Sequence, residues 1–236
     1  MPRVLVTGAL GQIGSELVPA LRGVHGPDNV VATDIRMPTA PGGGGGPFEH
    51  LDSTDPQRLH DIVRKYKIGT IYHLSALLSA VAEERPQTAW QINMGSLYGV
   101  LEVARHHRCA VFFPSSIGAF GAGTPRDATP QDTIQRPSTI YGVTKVAGEL
   151  LCDYYAQRFG VDVRGVRYPG LISYQAPPGG GTTDYAIHMY HYALKKQTFT
   201  CPVLPNEPLP MIYVDDAIEG TVQFLEAPRE KLKRSV

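Results

Sequence analysis

The chain has 236 residues, with 22 acidic and 22 basic side chains and a formal net charge of zero. That length supports one large α/β domain, or a domain with a small lobe. The charge balance removes any electrostatic case for binding nucleic acid or an anionic membrane. No apolar run approaches the ~20 residues of a membrane-spanning helix. The three cysteines (Cys109, Cys152, Cys201) are too scattered for a metal-ligand spacing, and an odd number does not suggest a disulfide framework. A reducing intracellular compartment is expected, cytoplasm or mitochondrial matrix. A strand that starts at Arg3 leaves no room for a leader peptide.

Arg3 to Thr7 is a short β-branched, apolar run that reads as a buried strand. It leads into a G-x-x-G-x-x-G loop, Gly8 to Gly14, that opens a helix over about Gln12 to Leu21. The first glycine permits a tight turn, the second lets backbone approach a pyrophosphate, and the third lets helix and strand pack closely. Free N–H groups at the helix start, around Gln12 and Ile13, then face the phosphates. Pro19 is a blemish in this helix, because it removes a backbone donor. Val30 to Asp34 is the second strand, and Asp34 lies about 20 residues beyond the glycine loop, where a carboxylate binds the ribose hydroxyls of NAD. A strand-end Asp can also simply cap a turn. The neighbouring Arg36 leaves room for NADP, but Asp34 repels a 2′-phosphate and NAD is favoured.

Pro38 to Pro47 holds five consecutive glycines, Gly42 to Gly46, and reads as a mobile loop without a core of its own. Phe48 to Asp52 reads as a third strand, ending with Asp52 and Ser53 near the expected adenine pocket. Thr54 or Asp55 with Pro56 gives an N-cap and first-turn proline for a helix to about Tyr66. Thr70 to Leu74 is the fourth strand, and Ser75 to Ala80 a small-residue loop beside the cofactor. His73 reads as a satisfied core histidine rather than a base. Helical spacing runs from about Thr88 to His106 and includes Asn93. The strand Ala110 to Pro114 delivers Ser115 and Ser116 to the carboxyl end of a central strand, where open α/β sheets bind ligands. Turn chemistry is the competing reading of both serines.

Tyr141 and Lys145 stand four residues apart at the start of a helix that Gly160 stops. Residues i and i+4 share a face, so the ammonium can favour a phenolate that takes a proton from an alcohol. YxxxK is also what an ordinary amphipathic helix yields by chance. Val161 to Tyr168 is the sixth strand. Pro169 and Gly170 begin a long loop of the kind that forms lids and binding surfaces. Thr182, Thr183 and Asp184 cap a helix over about Tyr185 to Lys195. Met211 to Asp216 reads as a strand with a helix N-cap, followed by a helix from Ala217 to about Glu226. Pro228 to Val236 reads as a frayed, basic end.

These pieces together resemble the extended short-chain dehydrogenase/reductase family: the TGxxGxxG loop, Asp34, Asp52, Asn93, Ser116, Tyr141-x-x-x-Lys145 and Arg167-Tyr168-Pro169. Several stretches look closer to the NAD-dependent L-threonine 3-dehydrogenases within it, above all Pro178-Gly-Gly-Gly-Thr-Thr-Asp-Tyr185. The resemblance implies an α/β fold, a Rossmann-like doubly wound parallel sheet with helices on both faces. Residues 1–236 are expected to form an NAD-binding domain that includes partial substrate-binding elements (about 168–210), with the family's C-terminal substrate lobe largely absent. It implies cofactor contacts from Gly8, Gly11, Gln12, Ile13, Asp34, Asp52, Ser53, Leu74, Ser75, Ala76, Asn93, Tyr141, Lys145, Tyr168 and Pro169. For Asn93, support of the site's architecture and a plain mid-helix polar role both stand. It implies catalysis by Ser116, Tyr141 and Lys145, with Lys145 also on the nicotinamide ribose. L-threonine is the implied substrate, held by Ser79, Ser116, Tyr141, Thr182 and Thr183 and oxidised at Cβ to 2-amino-3-oxobutanoate. No metal is implied. Pairing as a homodimer through the helix bearing Tyr141 is expected, with Tyr154 and Tyr155 as its exposed aromatics. A nucleotide-sugar epimerase or dehydratase, and an NAD-binding protein without catalysis, remain as alternatives.

Overall fold

The computed structural model describes residues 3–38 and 45–232, so Gly42 to Gly44 of the glycine run and the end of the basic tail lie outside the described residues. Six parallel strands follow the apolar runs: β1 (Arg3–Thr7), β2 (Val30–Asp34), β3 (Phe48–His50), β4 (Ile68–His73), β5 (Ala110–Ser116) and β6 (Val163–Tyr168). Their order is β3-β2-β1-β4-β5-β6. β1 is central, with Leu5 in register with Val31 on one side and Ile71 on the other. The direction of winding reverses between β1 and β4, which opens a crevice at their carboxyl ends.

Both faces of the sheet are covered. α2 (Pro56–Tyr66), α4 (Pro86–His107) and α5 (Ile140–Phe159) bury Leu59, Ile62, Leu97, Leu101 and Cys152 against Leu5, Ile71, Val111 and Phe113. α1 (Gly14–His25) and α7 (Val214–Glu226) bury Leu17, Leu21 and Ile218 against Val4, Val6 and Phe112 on the other face. The expected α/β doubly wound parallel sheet is therefore the observed fold. α1 continues through Pro19 because Leu17, Val18 and Leu21 are all buried. Burial of each such side chain contributes about 1.5–3 kcal/mol, enough to offset one lost backbone bond.

Several local expectations are corrected. α1 begins at Gly14 rather than Gln12 and runs on to His25, and β3 stops at His50. The loop expected to run through Ala80 gives way to a short helix, α3 (Ser79–Glu84). The long loop after Pro169 begins with β7 (Gly170–Ile172), which pairs in parallel with β8 (Met211–Tyr213). Val214, Asp215 and Asp216 already belong to α7 rather than to a strand, with the two acids in its first turn, where the helix dipole favours them. α6 (Tyr185–Leu194) is not capped by a threonine. Asp184 has helical backbone angles, and its carboxylate accepts from Gly180 N (2.9 Å) and Gly181 N (2.7 Å). Tyr155 is buried and donates to Glu102, leaving Tyr154 as the exposed tyrosine of the pair.

Candidate active site

The glycine loop closes on itself. Gly8 has φ +65°, open to glycine at little cost, and a Cβ there would lie 2.9 Å from Ser75 N at the end of β4. A Cβ on Gly14 would lie 2.5 Å from Gly8 O, so the first turn of α1 packs directly on the loop. No side chain caps the start of α1. Ser15 N donates to Gly11 O (2.9 Å) and Glu16 N to Ile13 O (3.2 Å), so these two first-turn donors are paired within the loop and helix; the general affinity of a helix start for phosphate then falls to the backbone that precedes them. Asp34 is 5% exposed at the end of β2, beneath the loop. It accepts from Leu10 N (3.0 Å) through Oδ2 and from Arg36 N (3.0 Å) and Arg36 Nε (3.1 Å) through Oδ1. Burial alone would raise its pKa, but the hydrogen bonds and charge of Arg36, with the Leu10 amide, hold it below the usual aspartate value.

A cleft of about 850 Å³ runs from this loop across the carboxyl ends of β1, β4, β5 and β6. Of the residues expected from sequence, it is lined by Gly8, Gly11, Gln12, Ile13, Leu74, Ala76, Ser79, Ser116, Tyr141, Lys145, Tyr168, Pro169, Thr182 and Thr183. Arg36 lines it too. Asp34, Asp52, Ser53, Ser75 and Asn93 are not among its lining residues. Asp52 accepts from the backbone N–H and hydroxyl of Thr54 (2.9 and 2.7 Å), closing a turn. Ser53 is buried. Asn93 acts by position. Its Oδ1 accepts from Leu77 N (2.8 Å), and Nδ2 donates to Leu77 O (3.2 Å) and Thr144 Oγ1 (3.3 Å). It pins the segment between β4 and α3 to α4 and α5, which fixes one wall of the cleft.

The residues expected to carry chemistry meet at the far end of β5. Thr139 caps α5 by accepting from Gly142 N (3.1 Å), and Ile140 N donates to Glu83 of α3 (2.7 Å). This sets Tyr141 in the first turn of α5, opposite Ser116. Between them sits Gly118, whose N–H donates to Ser116 Oγ (3.0 Å). A Cβ on Gly118 would lie 3.2 Å from the Tyr141 ring and 3.4 Å from Ser116 Oγ. Sequence reasoning missed this glycine, since nothing in its local pattern ties it to a tyrosine 23 positions away. Lys145 is buried, donates to Pro114 O (2.6 Å), stands 5.0 Å over the Phe113 ring and lies 5.3 Å from the centre of the Tyr141 ring. The ammonium therefore stands beside the Tyr141 ring, as the i to i+4 spacing on one helix requires.

His73 is the satisfied core histidine expected from its strand. Its ring nitrogens meet Thr7 Oγ1 (3.0 Å) and Ser96 Oγ (3.2 Å), and burial, aided by the charge of Lys145, pushes its pKa down to about 3. A second buried group escaped the sequence. Glu149 of α5 accepts from Arg167 (2.9 and 2.7 Å), Gln135 (2.9 Å) and the Ser115 hydroxyl. It ties α5 to the ends of β5 and β6 directly behind Ser116.

Residues 4–236 match the model of the NAD dependent epimerase/dehydratase family. The chain belongs to that family. It is 52% identical to an uncharacterized epimerase/dehydratase of Staphylococcus haemolyticus over 233 residues, 98% of this chain and 73% of that one. Among solved structures, the L-threonine dehydrogenase of Clostridium difficile superposes with a TM-score of 0.95 at 52% identity, covering 99% of this chain and 74% of that one. The L-threonine 3-dehydrogenase of Trypanosoma brucei gives 0.96 at 49% identity, covering 100% and 74%. A UDP-glucose 4-epimerase of Thermus thermophilus, in complex with NAD, shares the fold at 23% identity and a TM-score of 0.83, covering 95% and 75%. Family members use NAD, and the residues here fit it. The glycine cradle leaves no room for side chains, no side chain caps the start of α1, and a carboxylate stands at the end of β2. Among the described residues no helix is long and apolar enough to cross a membrane.

Proposed function

We propose that this chain oxidises L-threonine at its Cβ hydroxyl to 2-amino-3-oxobutanoate, with NAD as oxidant. One observation carries the reading: Thr182 and Thr183, from the GGGTTDY segment, line the same cleft as Ser116 and Tyr141. A small hydroxy amino acid can be gripped from both walls of such a space. The likeness to solved L-threonine dehydrogenases at about half identity supports the same substrate class.

In this reading Ser116 and Tyr141 hydrogen-bond the substrate hydroxyl, and the Tyr141 phenolate takes its proton. Lys145 supplies the positive charge that stabilises the phenolate and, as the family resemblance implies, also binds the nicotinamide ribose. Gly8, Gly11, Gln12 and Ile13 hold the pyrophosphate. Asp34 holds the adenosine ribose hydroxyls, and Leu74, Ala76, Tyr168 and Pro169 flank the rings. Ser79, Thr182 and Thr183 hold the amino acid, so residues 168–210 serve as substrate-binding elements attached to the NAD-binding domain. Bound NAD supplies the acceptor for the Cβ hydride. What the protein contributes is alignment and fixed charge. Two chains pair through the outer faces of α4 and α5, where Trp90, Tyr98, Leu150 and Tyr154 are exposed.

The test is NADH absorbance with NAD and L-threonine, run beside Tyr141→Phe. Threonine-dependent NADH that the variant loses supports substrate and base together. Conversion of a nucleotide sugar without net NADH, in place of threonine oxidation, would move the reading to the epimerases. NAD binding with neither reaction would mean that this chain binds the cofactor without catalysis.

A further inference from the structure

On the sheet face covered by α2 and α4, toward the end away from the cleft, three histidines converge. His60 lies on α2, and His106 and His107 end α4, just before β5 begins. Among the described residues they form one group in which one nitrogen of each ring lies within 4.8 Å of the other two. Ring centres are 4.6 Å apart for His60 and His107, 5.0 Å for His106 and His107, and 5.7 Å for His60 and His106. None of the three lines the cleft.

Two features separate this cluster from three surface histidines that happen to meet. His60 Nδ1 and His107 Nε2 are shut off from solvent and have no hydrogen-bond partner. The nearest carboxylate, Asp61, is 3.7 Å from His60 Nδ1, an ion-pair distance that gives no hydrogen bond. A buried nitrogen without a partner is costly, and a metal ion satisfies it. The second feature is electrostatic. His106 and His107 sit in the last turn of α4, where unsatisfied carbonyls favour a cation. Asp61 adds a negative charge beside the cluster, partly offset by Arg64 at 3.9 Å from it.

We propose that His60, His106 and His107 form a three-histidine site for a divalent first-row transition-metal ion of the zinc class. Imidazole nitrogens suit zinc, nickel, copper and cobalt, and three of them with solvent in the remaining position make a common zinc coordination. Nitrogens at about 2.0–2.1 Å from a shared ion are roughly 3.4 Å apart. Rotation of the partly exposed His60 and exposed His106 side chains closes the gap. The site ties the middle of α2 to the carboxyl end of α4, so its effect is on stability and lies away from the cleft.

The experiment is calorimetric titration of the whole chain with zinc in a Cys201→Ser background, which removes the exposed thiol. The expected result is one zinc per chain, with His60→Gln and His106→Asn each weakening binding about tenfold or more. Zinc about 100-fold above its Kd should raise the thermal midpoint by about 5–10 °C, a shift both variants lose. His106 is exposed, so its variant tests the site even if His60→Gln disturbs folding. Cobalt in the same protein should give visible absorption without thiolate charge transfer. Equal zinc affinity in parent and variants, or no saturable binding in the parent, overturns the proposal.

Discussion

Gly118 decides how Ser116 and Tyr141 face one another, because its missing side chain is the space in which they meet. Gly118→Ala places a methyl 3.2 Å from the tyrosine ring and 3.4 Å from the serine oxygen, tighter than ordinary contact on the ring side. Under the proposed function Tyr141 is the base, and displacing it should lower kcat for threonine oxidation about 10- to 100-fold while thermal stability changes little. Slower NADH formation with an unchanged NAD affinity would confirm that order of effects. Glu149 acts on stability instead. Burial alone would raise its pKa, but hydrogen bonds from Arg167, Ser115 and Gln135, and the charge of Arg167, hold it below the ordinary glutamate value. A depressed carboxylate adds stability above its unfolded pKa and loses it as pH falls through the folded one. Glu149→Gln should therefore cost about 3 kcal/mol at pH 7, since it strands a mostly buried guanidinium. The gap to the parent should narrow below about pH 4.5, as denaturant titrations at pH 7 and pH 3 can measure.

Elements are held in place at their ends. Arg164 in β6 reaches the last turn of α7, where Nη1 donates to Phe224 O (2.7 Å), Leu225 O (3.0 Å) and Ala227 O (2.7 Å). Asp162 holds the same guanidinium through Nε (3.0 Å) and Nη2 (2.9 Å). These carbonyls are the acceptors that a helix end leaves unpaired, and a buried cation satisfies them together. Arg164→Met keeps the apolar stem and removes the donors. The expected cost is about 3 kcal/mol, with α7 the first segment to lose hydrogen-exchange protection. Uniform loss of protection across the sheet would contradict an anchor local to α7. The α5 start has its own anchors, Thr139 and Glu83, which is why Tyr141 sits in an ordered first turn rather than a frayed one.

For the whole molecule, the carboxyl ends of the strands support the cleft, and the outer surface of α4 and α5 carries exposed aromatics. Trp90, Tyr98, Leu150 and Tyr154 are 45%, 54%, 65% and 52% exposed there, and such a patch on two adjacent helices favours a partner surface. Leu150→Glu should convert a dimer to monomers in light-scattering chromatography, without change in the circular dichroism of the fold. A monomeric parent at the same concentration would remove the pairing reading altogether.

What the sequence determined on its own was local or periodic. Strand runs, the glycine loop, Asp34 about 20 residues on, and the i to i+4 spacing of Tyr141 and Lys145 all follow from backbone sterics and side-chain direction within a few residues. The place of His73 in the core was legible for the same reason. Tertiary structure decided whatever joins distant segments. Asn93 became a clamp on Leu77 through the packing of α4 beside α3 and α5, and Gly118 gained its meaning from a helix that begins more than 20 residues later. The three-residue strands β7 and β8 are too short to carry a period, so their pairing appears only once the chain has turned back on itself. Tyr154 and Tyr155 look alike in sequence. One is half exposed and the other is buried against Glu102 and Tyr98, because adjacent helix positions point about 100° apart and only neighbouring elements set which direction is inside. His60 and the pair His106 and His107 are separated by the length of β4, α3 and most of α4, and no spacing rule spans that distance. Local chemistry is written in the order of residues, while convergence in space depends on which faces the core has already claimed.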